Sequence, residues 1–154
     1  MNVTADDCAQ EILDVVPMVM RVLRAEMRSH RSPGLSVPHF RVLAYLDGNQ
    51  GASLSQVAEY VGLRLPSMST LVDGLVARGL VTRAPSTTDR RRLALCLTPR
   101  GTSTLGAARR ATQAGLARLL AELSPAERAR VTDALRALRP LFAAPAHAAE
   151  TRGG

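Results

Sequence analysis

The stretch SLSQVAEYVGLRLPSMSTLVDGLVARGL, residues 53–80, contains the pattern that decides the fold. Ser53 and Gln56 form a capping box, in which two side chains satisfy backbone N–H groups at the start of a helix. Apolar residues then recur at helical spacing up to Gly62, where a glycine suits the end of a helix. Pro66 suits the first turn of a second helix. Two short helices joined by a tight turn with glycine predict a helix-turn-helix.

After Gly79 the period of the sequence pattern changes from 3.6 to 2 residues. Alternation over a few residues is typical of a strand that is buried on one face. Residues 80–83 and 93–97 therefore predict two strands of a hairpin, joined by a polar loop from Pro85 to Arg92.

Most of the remaining chain has the 3.6-residue period of helices. Capping residues predict four further helix starts, at Thr4, Ser36, Thr98 and Ser124. Pro17 lies inside the first of these helices and predicts a kink or a delayed start, and Pro140 predicts a kink or an end near Arg139 in the last. The first helix is more apolar than a surface helix needs to be, so we expect it to be buried on more than one side.

The charge of the chain is positive and unevenly distributed. Its 154 residues carry 20 basic and 13 acidic side chains, a formal net charge of +7, and every basic residue is arginine. Residues 64–101 hold seven of these arginines against two aspartates. A GC-rich genome explains arginine in place of lysine, but it does not explain this clustering. A local basic surplus on a folded domain attracts polyanions or anionic membranes.

The length of the chain fits one domain, or one domain with a small appendage. No apolar stretch reaches the roughly 18 residues of a membrane span. The first residues include Asp6, Asp7 and Glu11, where a secretory signal would carry basic residues. We therefore expect a cytoplasmic protein with no membrane partner, in which Cys8 and Cys96 stay reduced.

The second helix of the helix-turn-helix offers a polar face for nucleic acid. The residues opposite its apolar positions are Pro66, Ser67, Ser69, Thr70 and Asp73. Such a face can enter a major groove about 12 Å wide, where Ser and Thr hydroxyls bond base edges and phosphates. The free N–H groups at the start of the helix favour a phosphate. The alternative is that these residues simply coat a solvent-exposed side.

Three consecutive arginines, Arg90, Arg91 and Arg92, follow Asp89 in the hairpin loop. They would repel one another on an isolated loop, whereas an arginine on a narrow β tip fits the minor groove, where the negative potential is strongest. Which of the three enters the groove stays open, and a solvated basic loop is the alternative. Three further arginines are expected to contact phosphates and to add affinity without reading sequence: Arg64, Arg78 and Arg83.

The hairpin and the helix before it also carry a family resemblance. Residues 89–98, DRRRLALCLT, resemble the wing signature of the MarR family of bacterial winged-helix regulators, an Asp-x-Arg followed by Leu-Thr at the end of a strand. Residues 75–81, LVARGLV, resemble that family's passage from recognition helix to wing. The resemblance covers roughly residues 8–143. It implies that Asp89 and Arg91 match the Asp-x-Arg pair and that Asp89 orients an arginine.

The resemblance implies a mainly α fold with a small β-hairpin, built from a winged helix-turn-helix domain and a helical dimerisation region. The implied parts are a dimerisation helix in 1–35, the DNA-binding domain in 36–98, two dimerisation helices in 99–144 and a flexible tail in 145–154. A second copy of the chain would then supply the burial that we expect for the first helix.

Members of this family commonly hold a small aromatic or phenolic effector between the dimer helices and the winged domain. The resemblance places five residues near that region: Met20, Arg24, Met27, His39 and Tyr45. The alternative is that these are core or surface residues. Cys8 is either a peroxide-sensing thiol, as in one branch of the family, or an inert thiol, which is favoured because the residues around it lack the motif of that branch.

We predict a sequence-specific DNA-binding transcription regulator, a ligand-responsive homodimeric repressor that binds a pseudo-palindromic operator. The alternative is a winged-helix protein-interaction module whose basic patch is incidental. An enzyme is not expected, because the sequence has no Gly-rich phosphate loop and no nucleophile beside an evident base. No metal or other cofactor is expected, since His30, His39 and His147 lack the spacing of a zinc site.

Overall fold

The computed structural model of the chain describes residues 2–29 and 34–143. The chain divides into two compact units, Met1–Leu116 and Ala117–Gly154. In chain order the described elements are α1 (Ala5–Ser29), α2 (Val37–Gly48), α3 (Leu54–Val61), α4 (Leu65–Ala77), β1 (Val81–Pro85), β2 (Leu93–Leu97), α5 (Pro99–Leu120) and α6 (Pro125–Ala143). The predicted tail, 145–154, lies outside the described residues, as do His30 and His147. The assignment of functional parts to 1–35, 36–98 and 99–144 stays a prediction.

The predicted fold class, mainly α with a small β-hairpin, is confirmed. Four helices begin with a capping box. In each box the hydroxyl of the N-cap residue accepts the backbone N–H three residues later, and the side chain at that later position accepts the backbone N–H of the N-cap residue. The four boxes are Thr4 with Asp7, Ser36 with His39, Ser53 with Gln56 and Ser124 with Glu127. These bonds are local, which is why the sequence predicts the starts correctly.

Both interior prolines lie within continuous helices. α1 runs through Pro17 and α6 runs through Pro140. The predicted alternatives of a delayed start for α1 and an end near Arg139 for α6 are therefore wrong. An interior proline removes one backbone bond, and α1 keeps the remaining bonds on both sides of Pro17. α6 ends three residues after Pro140, so little helix depends on the lost bond.

The core of the first unit lies between α2, α3, α4 and the hairpin. Its fully buried side chains are Leu43, Leu46, Met68, Leu75, Leu95, Val42, Val57, Val72 and Val81. Burial of one such aliphatic side chain contributes about 1.5–3 kcal/mol. The shared core holds α4 and the hairpin side by side, which is the arrangement of a winged helix.

The hairpin pairs β1 with β2 antiparallel, from Val81 opposite Leu97 to Pro85 opposite Leu93. The predicted start of the loop at Pro85 is wrong, because Pro85 is the last residue of β1, a position where a missing N–H is tolerated. The hairpin is also tied to the loop after α2. Leu95 N–H donates to the carbonyl of Ala52 at 2.9 Å.

The junction between the hairpin and α5 is packed backbone against backbone. Thr98 Oγ1 donates to the carbonyl of Gly79 at 2.6 Å and accepts the N–H of Gly101 at 3.0 Å. The N–H of Thr98 donates to the carbonyl of Leu80 at 3.1 Å. A Cβ at Gly101 would collide with that same Leu80 carbonyl. Glycine at this position therefore lets α5 approach the end of α4 closely.

We predict that Gly101→Ala lowers the free energy of unfolding by about 1–3 kcal/mol, because its methyl group would have to displace a backbone carbonyl. Gly106→Ala is a matched control in the same helix, since its Cβ would meet the end of the flexible Arg110 side chain. Alanine at that site should stabilise by about 0.5–1 kcal/mol. Urea unfolding followed by circular dichroism measures both, and equal effects would contradict the close approach at Gly101.

Candidate nucleic-acid interface

α4, the candidate recognition helix, turns its apolar side to the core and a polar side to solvent. Its buried residues are Met68, Val72 and Leu75. Of the predicted DNA-binding residues on this helix, Ser69 is half-buried and the exposed ones are Pro66, Ser67, Thr70 and Asp73. The hydroxyl of Thr70 donates to the carbonyl of Pro66 at 3.2 Å, so its oxygen can still accept a hydrogen bond from outside.

The start of α4 is open to an anion. Arg64 occupies the N-cap, and no side chain caps the helix there. The first N–H groups of a helix have no partner within the helix, and the helix dipole adds a partial positive charge at the same end. Because Arg64 is exposed beside them, this end of α4 suits a phosphate.

The tip of the hairpin is organised by Asp89. Its Oδ1 accepts the N–H of Arg91 at 3.0 Å, and its carbonyl accepts the N–H of Arg92 at 2.9 Å. Its Oδ2 lies 3.7 Å from Nε of Arg92. The side chains of Arg90 and Arg91 are exposed and make no ion pair or hydrogen bond within the part of the chain that the structure describes. Asp89 therefore pairs with Arg92, and the guanidinium groups of Arg90 and Arg91 remain available at the tip.

The other two predicted phosphate contacts have partners inside the chain. Arg83 on β1 forms an ion pair with Asp73 on α4, Nη1 to Oδ1 at 2.5 Å. Arg78, just after α4, lies against Gly34, where an added Cβ would collide with its guanidinium. α4, its N-cap Arg64 and the hairpin tip all belong to the first unit, and Arg83 joins the hairpin to α4 through Asp73.

A cavity of about 320 Å³ lies between α1, α2 and α5 in the first unit. Its lining residues are Met27, Phe40, Arg41, Ala44, Leu105, Ala108, Arg109, Thr112, Gln113 and Leu116. Ligand sites are typically concave, mostly apolar and about 300–1,000 Å³ in volume. The cavity therefore has room for a small aromatic molecule.

Two arginines of the cavity wall are held by partners outside it. Nη1 of Arg109 lies 2.7 Å from Oδ2 of Asp47, which joins α5 to α2. Arg41 donates to the carbonyls of Val61 at 3.0 Å and Tyr60 at 3.3 Å. These carbonyls lie at the end of α3, directly before the turn into α4. Arg41 thus links the cavity wall to the end of α3, the helix that precedes the candidate recognition helix.

Of the five residues predicted for an effector pocket, Met27 lines this cavity. Met20 and Arg24 are exposed on α1. Tyr45 packs against Tyr60 with ring centroids 4.6 Å apart and the rings tilted by 31°, and it is not part of the cavity lining. These residues were predicted because they lie on the first two helices. Position along a helix does not determine which of its sides faces the cavity.

His39, the fifth predicted pocket residue, completes the capping box of α2. Its Nδ1 accepts the N–H of Ser36 at 3.0 Å, so the ring proton lies on Nε2. Nε2 faces α4, 3.9 Å from where a Cβ of Gly74 would lie. Burial lowers the pKa of His39, and the charge of Arg78 lowers it further. His39 therefore caps the start of α2 with its Nε2 near Gly74 of α4, outside the cavity lining.

The α5 wall of the cavity was not among the predicted pocket residues. Leu105, Ala108, Thr112 and Leu116 follow one another at helical spacing along one face of α5. The same spacing is typical of an ordinary core stripe. Helical spacing therefore identifies the apolar face of α5, but it does not show that part of this face borders a cavity.

The two cysteines are free thiols, with Cys8 exposed on α1 and Cys96 half-buried on β2. Among the described residues no group of three or more His, Cys, Asp or Glu side chains could hold a metal ion. Within the same residues, no helix has both the length and the apolar character needed to cross a membrane.

The chain is similar to bacterial regulators of known sequence and structure. The profile of the MarR family matches residues 34–92. The HTH-type transcriptional repressor Rv2887 of Mycobacterium tuberculosis is 34% identical over 104 residues, which cover 67% of this chain and 75% of the relative. The crystal structure of Rv2887 in complex with salicylic acid matches with a TM-score of 0.64 at 30% identity, covering 80% of this chain and 93% of that one. The crystal structure of Rv1404 from the same organism shares the fold, with a TM-score of 0.75 at 24% identity over 94% of this chain and 98% of that one.

We predict that the wild-type protein loses stability relative to His39→Gln as the pH falls from 7 to 5. The pKa of His39 is lowered in the folded state, so the unfolded state binds more protons over this range and protonation favours unfolding. Gln at the third helical position can keep the capping box without titrating. Urea unfolding of both proteins at several pH values measures the difference. A difference that stays constant from pH 7 to 5 would show that His39 does not titrate as proposed.

Proposed function

Because the chain belongs to the MarR family of transcriptional regulators, we propose that it is a homodimeric repressor that releases a pseudo-palindromic operator when a small aromatic effector binds. The observation that carries DNA binding is the combination, in one unit, of the polar side of α4 with two unpaired arginines at the hairpin tip. A regulator of this kind acts on chromosomal DNA, so we infer a cytoplasmic location.

α4 has the side chains that a major groove accepts. Ser67 and Thr70 are small and exposed near its start, and their hydroxyls can bond base edges. The open helix start and Arg64 would bind a phosphate and fix the orientation of the helix. Arg90 and Arg91, on the narrow hairpin tip, would enter the adjacent minor groove.

The first helix supports a homodimer. None of the residues of α1 is buried within the chain, although the helix is 25 residues long. Its large exposed apolar side chains are Leu13, Val15, Val16, Met18, Val19 and Met20. Monomeric proteins rarely leave an apolar surface of this kind in water. We infer that a second copy of the chain covers it, which is the role that the family resemblance gives to this helix, and exposed Leu135, Leu141 and Phe142 on α6 suit the same role.

The cavity supports an effector site. Its walls are largely apolar, with Met27, Phe40 and Leu105 among them. The relative Rv2887 has been solved in complex with salicylic acid and with p-aminosalicylic acid, which are both aromatic carboxylic acids. We infer an effector of the same chemical class, with its ring against the apolar walls and its acid group near Arg109 or Arg41.

An acidic effector would disturb contacts that reach the recognition helix. Arg109 would exchange the carboxylate of Asp47 for that of the ligand. Arg41, if drawn inward in the same way, would release the carbonyls of Tyr60 and Val61 at the end of α3. Loss of this contact loosens the turn that precedes α4. Effector binding therefore lowers the affinity for DNA.

We predict that Arg90→Ala combined with Arg91→Ala weakens binding to every duplex, because minor-groove and phosphate contacts carry little sequence information. The fold should stay intact, since both side chains lie on an exposed loop. If the wild-type dimer neutralises about 6–10 phosphates, log affinity falls against log salt with a slope of roughly −5 to −9, and the variant has a shallower slope. Fluorescence anisotropy titrations at several salt concentrations measure both quantities.

Arg110→Ala combined with Arg130→Ala is the charge-matched control, because it removes two exposed arginines from α5 and α6. It should change the affinity and the salt slope much less than the tip variant does. If the tip variant binds DNA with the affinity of the wild-type protein, the hairpin is not part of the DNA interface. An affinity of the wild-type protein that does not respond to salt would favour the alternative, a protein-interaction module.

We predict that salicylate binds the wild-type protein and weakens its binding to DNA. Ala108→Phe should lower the affinity for salicylate at least roughly tenfold, because the ring fills part of a cavity of about 320 Å³. Ala107→Phe adds the same ring at an exposed position outside the lining and should leave salicylate binding unchanged. Isothermal titration calorimetry measures salicylate binding without DNA. Equal salicylate affinities in the two variants would show that the cavity is not the effector site.

A further inference from the structure

The ion pair between Asp73 and Arg83 joins the recognition helix to the hairpin. Oδ1 of Asp73 lies 2.5 Å from Nη1 of Arg83. Among residues 34–143 it is the one ion pair that connects α4 with the hairpin. The side chain of Arg83 is 30% exposed and that of Asp73 is 57% exposed. The pair therefore lies at the surface, beside the core to which Val72 and Val81 belong.

Asp73 is an unusual residue on a helix side that faces DNA. It lies on the exposed side of α4 that also carries Ser67 and Thr70, at spacings of three residues. An isolated carboxylate at this place would repel the phosphates of the duplex. The guanidinium of Arg83 supplies the opposite charge, so the pair presents no net charge to the DNA.

The strand geometry directs Arg83 toward α4. Val81 is buried in the core, and Arg83 follows two residues later on the same face of β1. Its guanidinium forms a charge-assisted contact with Asp73. A phosphate could recruit this guanidinium only by leaving the carboxylate of Asp73 unpaired near the DNA backbone. Arg83 is therefore poorly suited to the phosphate contact that the sequence predicts for it.

The angle between the hairpin and α4 decides where the tip arginines fall on the duplex. The connection between the two elements is short and contains Gly79 at a φ of +69°. Thr98 fixes this connection by donating to the Gly79 carbonyl at 2.6 Å. The pair of Asp73 and Arg83 attaches the hairpin to α4 at a second point. Together with the apolar core that α4 and β1 share, this ion pair restricts the angle between the two elements.

We propose that Asp73 and Arg83 are positioning residues, which hold the hairpin at the angle where α4 and the tip arginines engage the same half-site. Neither residue reads a base or binds a phosphate itself. The inference rests on the proposed DNA-binding function and gives these two residues a different role from the direct contacts expected of them. Sequence preference, more than general affinity for DNA, depends on the pair.

Asp73→Asn tests the proposal, because it removes the charge and keeps the size of the side chain. The probes are the duplex of about 30 bp that the wild-type protein selects from a random pool and a scrambled duplex of the same composition. We expect affinity for the selected duplex to fall about fivefold, a size typical of an exposed ion pair. Affinity for the scrambled duplex should stay or rise, since a negative charge is lost. Asp73→Glu should restore most of the ratio, and an unchanged ratio in Asp73→Asn overturns the proposal.

Arg83→Gln distinguishes a positioning pair from two separate DNA contacts. For a positioning pair it lowers the ratio as Asp73→Asn does, and the double variant loses little more than either single one. If Arg83 binds a phosphate, Arg83→Gln instead weakens binding to both duplexes equally and reduces the salt slope by about 1 for each protomer. That result overturns the proposal, and so do additive losses in the double variant.

Asp133→Asn is the matched control, because it removes an exposed carboxylate that pairs with Arg136 on α6, Oδ1 to Nη1 at 3.4 Å. It should leave the ratio of the two affinities unchanged. Thermal melting followed by circular dichroism checks that every variant folds. If the wild-type protein selects no sequence from the pool, the proposed sequence-specific function fails and this inference fails with it. If the wild-type protein does select a duplex and Asp73→Asn leaves the ratio of the two affinities unchanged, the inference is overturned and the proposed function is not.

Discussion

The start of the hairpin, which carries the proposed DNA-binding arginines, depends on how closely α5 can approach the end of α4. Thr98 joins the two by bonding the Gly79 carbonyl on one side and the Gly101 N–H on the other. Gly101 makes the approach possible because it has no Cβ to meet the Leu80 carbonyl. The hairpin begins at this junction, so the direction of its arginines is set where three backbone segments meet.

The same helix that forms this junction also walls the cavity. α5 contributes Leu105, Ala108 and Leu116 to the lining, about one to four turns after Gly101. A ligand that moved α5 would therefore also act on the junction of Thr98 with Gly79 and Gly101, from which the hairpin starts. The contact of Arg41 with the carbonyls at the end of α3 offers a second connection between the cavity and α4. The cavity proposed for an effector and the proposed DNA interface thus share structural elements in one unit.

Local chemistry is the part of this fold that the sequence predicts well. Capping boxes involve residues three apart, so Ser53 and Gln56 are recognisable without any knowledge of the tertiary structure. Gly62 and Gly79 mark helix ends because their positive φ favours glycine. The hairpin is equally clear, since alternation and turn residues are properties of a short segment. Pro85 was misplaced because a strand tolerates proline at its end.

Contacts between distant residues could not be predicted in the same way. Asp73 with Arg83, Asp47 with Arg109 and Arg41 with the Tyr60 carbonyl each join different elements. The sequence around an aspartate or an arginine on a polar helix face does not indicate which distant residue it will contact after folding. The cavity escaped prediction for a related reason, because its α5 residues have the spacing of any core stripe. Met27 was found through its place on the first helix, but the side that a residue faces is decided by packing.

The arginine tip of the hairpin has a consequence for how occupancy of the DNA can be controlled. Apart from its three histidines, every basic residue of the chain is arginine, and a guanidinium stays protonated at any pH that a cell reaches. Acetylation, which neutralises lysine, has no target side chain here. The charge of these arginines is therefore insensitive to pH and to lysine acetylation, so neither of these can weaken their attraction to phosphate.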